Sequence, residues 1–124
     1  MLVDTDILID YFKGIPEAIA FIEANIDQVS VSSITIAELF QGVRAGAERE
    51  ALDDFVSAVR VLDVTQPIAT TAGLFRRQYR PSHFVGLADC LIAATAKEHC
   101  IPMKSLNIKH FPMLDDVAAP YSKR

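Results

Sequence analysis

The sequence contains no tryptophan, only two cysteines and three histidines, and five glycines in 124 residues. With Cys90 and Cys100 alone there is neither a disulfide framework nor the paired spacing of a zinc site. Each sits beside apolar residues, as a small buried hydrophobe would. His83, His99 and His110 lack the i, i+4 spacing of a helical metal pair, so they are expected on the surface or in loops. Without tryptophan, and with three tyrosines, extensive stacking on nucleic-acid bases is not expected. No stretch approaches the roughly 18 apolar residues of a membrane-spanning helix. The longest candidate, Leu87 to Ala96, carries Asp89 within it. No basic stretch precedes an apolar one at the N-terminus, so the expected compartment is cytoplasmic, with no membrane partner.

Positive charge is also in short supply. Twelve lysines and arginines face sixteen aspartates and glutamates, for a net charge of −4. That balance argues against a surface that coats nucleic acid through its phosphates. The same balance would result if carboxylates were gathered to hold divalent cations, which locally reverse the sign.

Apolar material is abundant: hydrophobic residues make up 51% and charged residues 23%. Residues 1–124 are therefore expected to form a single domain with a real core. A short apolar segment, Leu2-Val3, ends in Asp4, and Thr5 or Asp6 suits the N-cap of a first helix that Gly14 closes. A second helix starts near Pro16, with Ile19, Phe21, Ile22 and Ile26 at helical spacing. Residues 29–32 read as a strand, and Ser33 or Thr35 caps a third helix ending at Gly42 or Gly46. Residues 47–59 form an amphipathic surface helix, with Leu52, Phe55 and Val56 opposite its acids. A strand over 59–64 follows, then a helix from Pro67 to Tyr79 stopped by Pro81. A buried helix spans 86–99, and a last strand lies near 101–104. Strands alternating with helices predict an α/β fold, with helices on both faces of a short-stranded, mostly parallel sheet. Ligands of such sheets bind beyond the carboxyl ends of the strands, and Asp4 stands at one.

Most of the acids belong to solvated faces. Three do not: Asp4 after Leu2-Val3, Glu38 within Ile34 to Phe40, and Asp89 within Val85 to Ala94. Carboxylates are rarely buried unless paired, and an unanswered buried ion costs several kcal/mol. No basic residue lies close to any of the three in its own segment. A hard divalent cation, which takes oxygen ligands and keeps several waters, is the alternative partner. Asp4 as a helix cap, Glu38 facing solvent, or Asp89 as a first-turn dipole partner would each account for one residue alone.

The stretches MLVDTDILID (1–10), SSITIAEL (32–39), LADCLIAATA (87–96) and SLNIKHFP (105–112) together resemble a PIN domain, specifically a VapC-type toxin of a toxin–antitoxin pair. The resemblance covers essentially the whole chain in the family's order. It implies a three-layer α/β/α fold and an endoribonuclease dependent on Mg²⁺ or Mn²⁺. It also implies a homodimer and a cognate antitoxin that reaches into the acidic site. Carried over by position, Asp4, Glu38 and Asp89 are the family's catalytic and metal-holding acids, and Thr5 is a hydroxyl position beside the first. Many PIN domains have a fourth carboxylate after the last core strand, where this chain has Asn107. An amide there would position a water or a phosphate oxygen without bringing charge, and Asp115 or Asp116 would be the substitute acids. Arg76, Arg77, Arg80, Lys97, Lys104 and Lys109 are candidates for a basic rim that holds RNA. Three rival readings follow from the same residues. One is a phospho-receiver domain using Asp63 and Lys104. Another is an aspartate-nucleophile phosphohydrolase opened by Asp4-Thr5-Asp6. The third is a PIN-like binding protein without catalysis.

Overall fold

In the computed structural model, which describes residues 1–79 and 85–122, five parallel strands form one sheet in the order β3-β2-β1-β4-β5. The strands are β1 (Leu2–Val3), β2 (Ser30–Ser32), β3 (Arg60–Leu62), β4 (Met103–Lys104) and β5 (Val117–Ala118). The helices are α1 (Thr5–Phe12), α2 (Pro16–Asn25), α3 (Ser33–Phe40), α4 (Ala47–Ala58), α5 (Gln66–Tyr79) and α6 (Leu87–Glu98). Among the described residues no helix is long and apolar enough to cross a membrane. Pro81, Arg80 and His83 lie outside the described residues.

The two residues of β1 show how the layers arise. Successive side chains of a strand point to opposite faces, and both Leu2 and Val3 are fully buried. Leu2 packs with Ile92, Ala93 and Ala96 of α6 and with Met103 and Phe111. Val3 packs with Ile7 and Leu8 of α1, Ile22 of α2 and Phe55 of α4. A strand covered on both sides is central, which the order confirms. α5 lies outside α6 over a third cluster of Ile68, Ala72, Val85, Cys90 and Ala94.

Strand order reverses at β1. The chain moves from β1 through β2 to β3 on one side, then returns to place β4 on the other. Connections leaving β1 and β4 therefore diverge and open a crevice at their carboxyl ends. Asp4 enters it from β1 and Ser105 from β4.

Several local expectations are corrected. Asp4 itself, rather than Thr5 or Asp6, is the N-cap of α1, and its side chain accepts from the Thr5 N–H. Likewise Ser32, rather than Ser33 or Thr35, caps α3 by accepting from Ile34 N–H at 3.0 Å. In both cases the chain turns from strand to helix with no intervening loop, so the last extended residue becomes the cap. α3 stops at Phe40, before either glycine. The tail supplies an unforeseen strand, β5, which pairs with β4 through Met103 opposite Val117.

The end of α6 carries a conformational cost. Cys100 follows the helix in the left-handed region, at φ 54°, and its neighbour Ile101 N–H closes back on Ala96 O at 3.1 Å. Glycine is the usual occupant of that position because it has no Cβ to crowd. Cys100→Gly is expected to raise stability by roughly 0.5–1 kcal/mol, as a higher urea midpoint with unchanged slope.

Candidate active site

Asp4 is the centre of the crevice. Only 6% of its surface is exposed, and each carboxylate oxygen holds one short hydrogen bond. Thr5 N–H donates to Oδ1 at 2.8 Å, and the fully buried Ser105 hydroxyl donates to Oδ2 at 2.7 Å. A carboxylate has about four acceptor positions, so lone pairs remain beyond these two contacts. Burial pushes the Asp4 carboxyl up from 3.8 to about 7, helped by the negative charges of Asp6 and, less, Asp89. The Ser105 and Thr5 hydrogen bonds pull the other way without prevailing. Among the described residues no lysine or arginine forms an ion pair with Asp4, Glu38 or Asp89.

Glu38 reaches the crevice from α3 through Thr5. The Thr5 hydroxyl donates to Glu38 Oε1 at 2.7 Å and lies 3.0 Å from the buried Thr35 hydroxyl. Thr5 has one hydroxyl hydrogen, and the shorter contact to the carboxylate claims it, so the Thr35 hydroxyl donates to Thr5. Asp89 enters from the first turn of α6. Burial also pushes its carboxyl upward, opposed by His110 and the Gly86 backbone. His110 stands with Nδ1 3.8 Å from Asp89 Oδ2.

The three acids expected from the sequence thus gather around one crevice, with unequal burial. Only Asp4 is nearly enclosed, while Glu38 and Asp89 are half-buried at its rim. The apolar run around Glu38 does not imply a buried helix, since Thr35 is its one fully buried residue. Asp89 does make the first-turn contact of a dipole partner, and it still acts on Asp4 across the crevice.

Sequence reasoning missed three residues. Asp6, considered as a cap or as part of a phosphohydrolase's opening motif, binds the loop after β4: its Oδ2 accepts Leu106 N–H and the Asn107 side-chain amide, each at 3.0 Å. Asp6 is also a stronger repeller of Asp4 than Asp89 is. Ser105 was within a quoted motif but had no assigned role. His110 was expected merely on the surface. Asn107 has one amide hydrogen committed to Asp6 and its backbone N–H to Ser105 Oγ at 3.0 Å. Asp115 and Asp116 do not replace a fourth acid. Met103 N–H pairs with Asp116 O, which places them at the amino ends of the strands, opposite the crevice. They line a cavity there of about 220 Å³ with Lys97 and Cys100.

The basic rim is dispersed. Lys97 belongs to that opposite end, and Lys104 acts on the Met1 amino group. Arg77 is exposed on α5, whereas Arg76 has a buried Nη1 with no hydrogen-bond partner and acts on Cys90. Arg80 lies outside the described residues. Lys104 precedes Ser105, and Lys109 lies in the turn with His110, so these two are the members adjacent in sequence to crevice residues.

Chemically, the crevice offers hard oxygen donors. No three His, Cys, Asp or Glu side chains among the described residues close into a ready cage. Asp4 nevertheless has spare lone pairs, a negative neighbour across the crevice and, among the described residues, no lysine or arginine paired with it. That donor chemistry fits an ion such as Mg²⁺, which is commonly held by one or two carboxylates and completed by water or phosphate oxygens.

A family model described as PIN domain matches residues 1–109. Ribonuclease VapC19 of Mycobacterium tuberculosis is 39% identical over 124 residues, covering 97% of this chain and 98% of that protein. Ribonuclease VapC10 of the same organism is 38% identical over 125 residues, covering 98% of this chain and 93% of that one. A solved structure described as a toxin–antitoxin complex from Klebsiella pneumoniae superposes with a TM-score of 0.85 at 31% identity, over 98% of each chain.

Proposed function

The chain belongs to the PIN domain family, and from that premise we propose that it is a divalent-metal-dependent endoribonuclease, the toxin of a toxin–antitoxin pair. The observation that carries this reading is Asp4: buried at a strand end, hard to ionise, repelled by Asp6 and Asp89, and without an ion pair to lysine or arginine among the described residues. Asp4 and Asp89 would hold Mg²⁺ or Mn²⁺, with Glu38 contributing through water. When bound, the ion supplies positive charge for the scissile phosphate and makes water more acidic.

The remaining steps belong to the protein. Ser105 and Thr5 fix the Asp4 carboxylate from both oxygens, so that its remaining lone pairs have a set direction. Thr5 fixes one oxygen of Glu38, which leaves the other to orient an attacking water or receive its proton. Asn107 retains its carbonyl oxygen and second amide hydrogen to position a water or a phosphate oxygen. Lys109, beside His110 in sequence, would meet the RNA backbone. We expect the protein to act in the cytosol and to pair with a second copy of itself.

The antitoxin reading has its own support. A groove of about 520 Å³ runs beside Glu38 and is lined by Ile9, Phe12, Leu39, Val43 and Leu52. Ile9 and Phe12 are 42% and 38% exposed, which suits the apolar face of a partner segment whose end would reach the acids.

Purified protein with Mg²⁺ is expected to cut RNA, and EDTA to stop the reaction. Asp89→Asn is expected to lower the cleavage rate at least about 100-fold with unchanged far-UV circular dichroism. Cleavage that persisted in EDTA, or an undiminished rate in Asp89→Asn, would overturn the reading. Binding of RNA with no cleavage under any divalent ion would favour the noncatalytic alternative.

A further inference from the structure

We propose that Asp6 is a positioning residue of this crevice: its carboxylate buckles the loop after β4 to the start of α1, and the buckle sets the Ser105 hydroxyl against Asp4. This rests on the nuclease reading and adds a residue to it.

The circuit can be followed atom by atom. Asp6 Oδ1 accepts Ile7 N–H at 2.8 Å, which holds the carboxylate to its own helix. Oδ2 faces the loop and accepts Leu106 N–H and Asn107 Nδ2, each at 3.0 Å. Asn107 N–H in turn donates to Ser105 Oγ at 3.0 Å. Ser105 Oγ stands 2.7 Å from Asp4 Oδ2 and 3.4 Å from Asp6 Oδ2. A serine hydroxyl has one hydrogen, and the shorter contact takes it. Ser105 is therefore oriented from behind by Asn107 N–H and donates forward to Asp4. The two sides of this circuit are about a hundred residues apart in sequence and flank the crossover between β1 and β4.

The chemical type at position 6 is informative. Anchoring a loop needs only an acceptor, and a neutral one would spare Asp4 a second negative charge nearby. Here a carboxylate is opposed to a carboxamide, so the two loops share one charge between them. Asp6 accepts with both oxygens, one serving Ile7 N–H and the other the loop, whereas an asparagine has a single oxygen. Asparagine at 6 therefore keeps either the helix bond or the loop bonds, and alanine keeps neither.

The experiment compares Asp6→Ala and Asp6→Asn, with Ser105→Ala beside them. Thermal midpoints are measured on RNA-free protein, and kcat and KM with RNA. Asp6→Ala is expected to lower the thermal midpoint and reduce kcat about ten- to a hundredfold, with KM within about twofold. Asp6→Asn, which keeps part of the bonds, is expected to fall between Asp6→Ala and the wild type in both. Ser105→Ala leaves the Asp6 contacts in place, and its kcat loss should match that of Asp6→Ala.

A folded Asp6→Ala, or a Ser105→Ala, with wild-type kcat would overturn the proposal. So would an Asp6→Ala whose KM rises while kcat is unchanged. If Asp6→Ala does not fold, Asp6→Asn and Ser105→Ala still decide. Failure of the nuclease reading shows differently, as a wild-type chain that cuts no RNA. The midpoints then still report whether the buckle exists.

Discussion

Asp4→Asn is expected to abolish RNA cleavage while making the metal-free protein more stable at alkaline pH. The two effects have one cause. In the folded protein the Asp4 carboxyl is pushed up to about 7 from an ordinary value of 3.8. The folded state therefore holds this proton more tightly than the unfolded chain does. Stability from that difference is fully present below about pH 4 and is lost as pH rises through about 7. At pH 8 the wild type carries a buried charge penalty on the order of 4 kcal/mol, and an asparagine avoids it. Part of that gain is returned, because Ser105 and Thr5 lose a charged acceptor. Thermal unfolding in EDTA should thus show the variant above the wild type at pH 8, with the gap closing toward pH 4. Cleavage should fall by roughly a thousandfold or more, since the amide cannot replace the ligand charge. A variant that is less stable at every pH by a constant amount would show that Asp4 is a structural cap and nothing else.

The second large effect concerns metal. Adding Mg²⁺ or Mn²⁺ to the metal-free protein is expected to raise its thermal midpoint, increasingly so between pH 6 and pH 8. An ion that binds only the folded state stabilises it by about 2.7 kcal/mol at a hundredfold excess over its dissociation constant. Near pH 7 about half the molecules hold a proton on Asp4, and ligation must displace it. Titration in weak buffer should therefore release roughly half a proton per ion bound at that pH. Asp4→Asn should show neither the stabilisation nor the proton release. Equal stabilisation of wild type and variant would place the ion elsewhere.

Among the described residues, arginine and lysine form no ion pair with the acids of the crevice. Those acids meet hydroxyls, amides and His110 instead. The described salt bridges to carboxylates from Arg44 and Arg49 are exposed i, i+4 pairs on or beside α4, which contribute only tenths of a kcal/mol.

Particular elements show where sequence reasoning succeeded. Pro16 opened α2, the acids opposite Leu52 and Phe55 marked α4, and the long apolar run over α6 marked a buried helix. Each signal is local and repeated over several turns. The reasoning failed where a signal was short or shared. β5 has two residues and no periodicity to detect. The caps of α1 and α3 were each displaced by at least one residue because Asp4-Thr5-Asp6 and Ser32-Ser33 offer adjacent capping side chains. Burial of Glu38 was overstated, because an apolar segment that lines an open groove looks in sequence like one that lines a core.

The amino-acid sequence alone determined the alternation of strands and helices, the placement of Asp4 at a central strand end, and the singling out of Asp4, Glu38 and Asp89 from the solvated acids. These follow from hydrophobic spacing and from the cost of an ion among apolar residues, both readable within a dozen positions. Only the tertiary structure decided that Asp6 faces Asn107, that Ser105 donates to Asp4, that His110 stands by Asp89, and that Asp115 and Asp116 belong to the far end. The Asp6–Asn107 and Ser105–Asp4 pairings are made by hydrogen bonds acting over a few ångströms between segments about a hundred residues apart. Their direction is set by the parallel register of β1 and β4, and no local pattern records it.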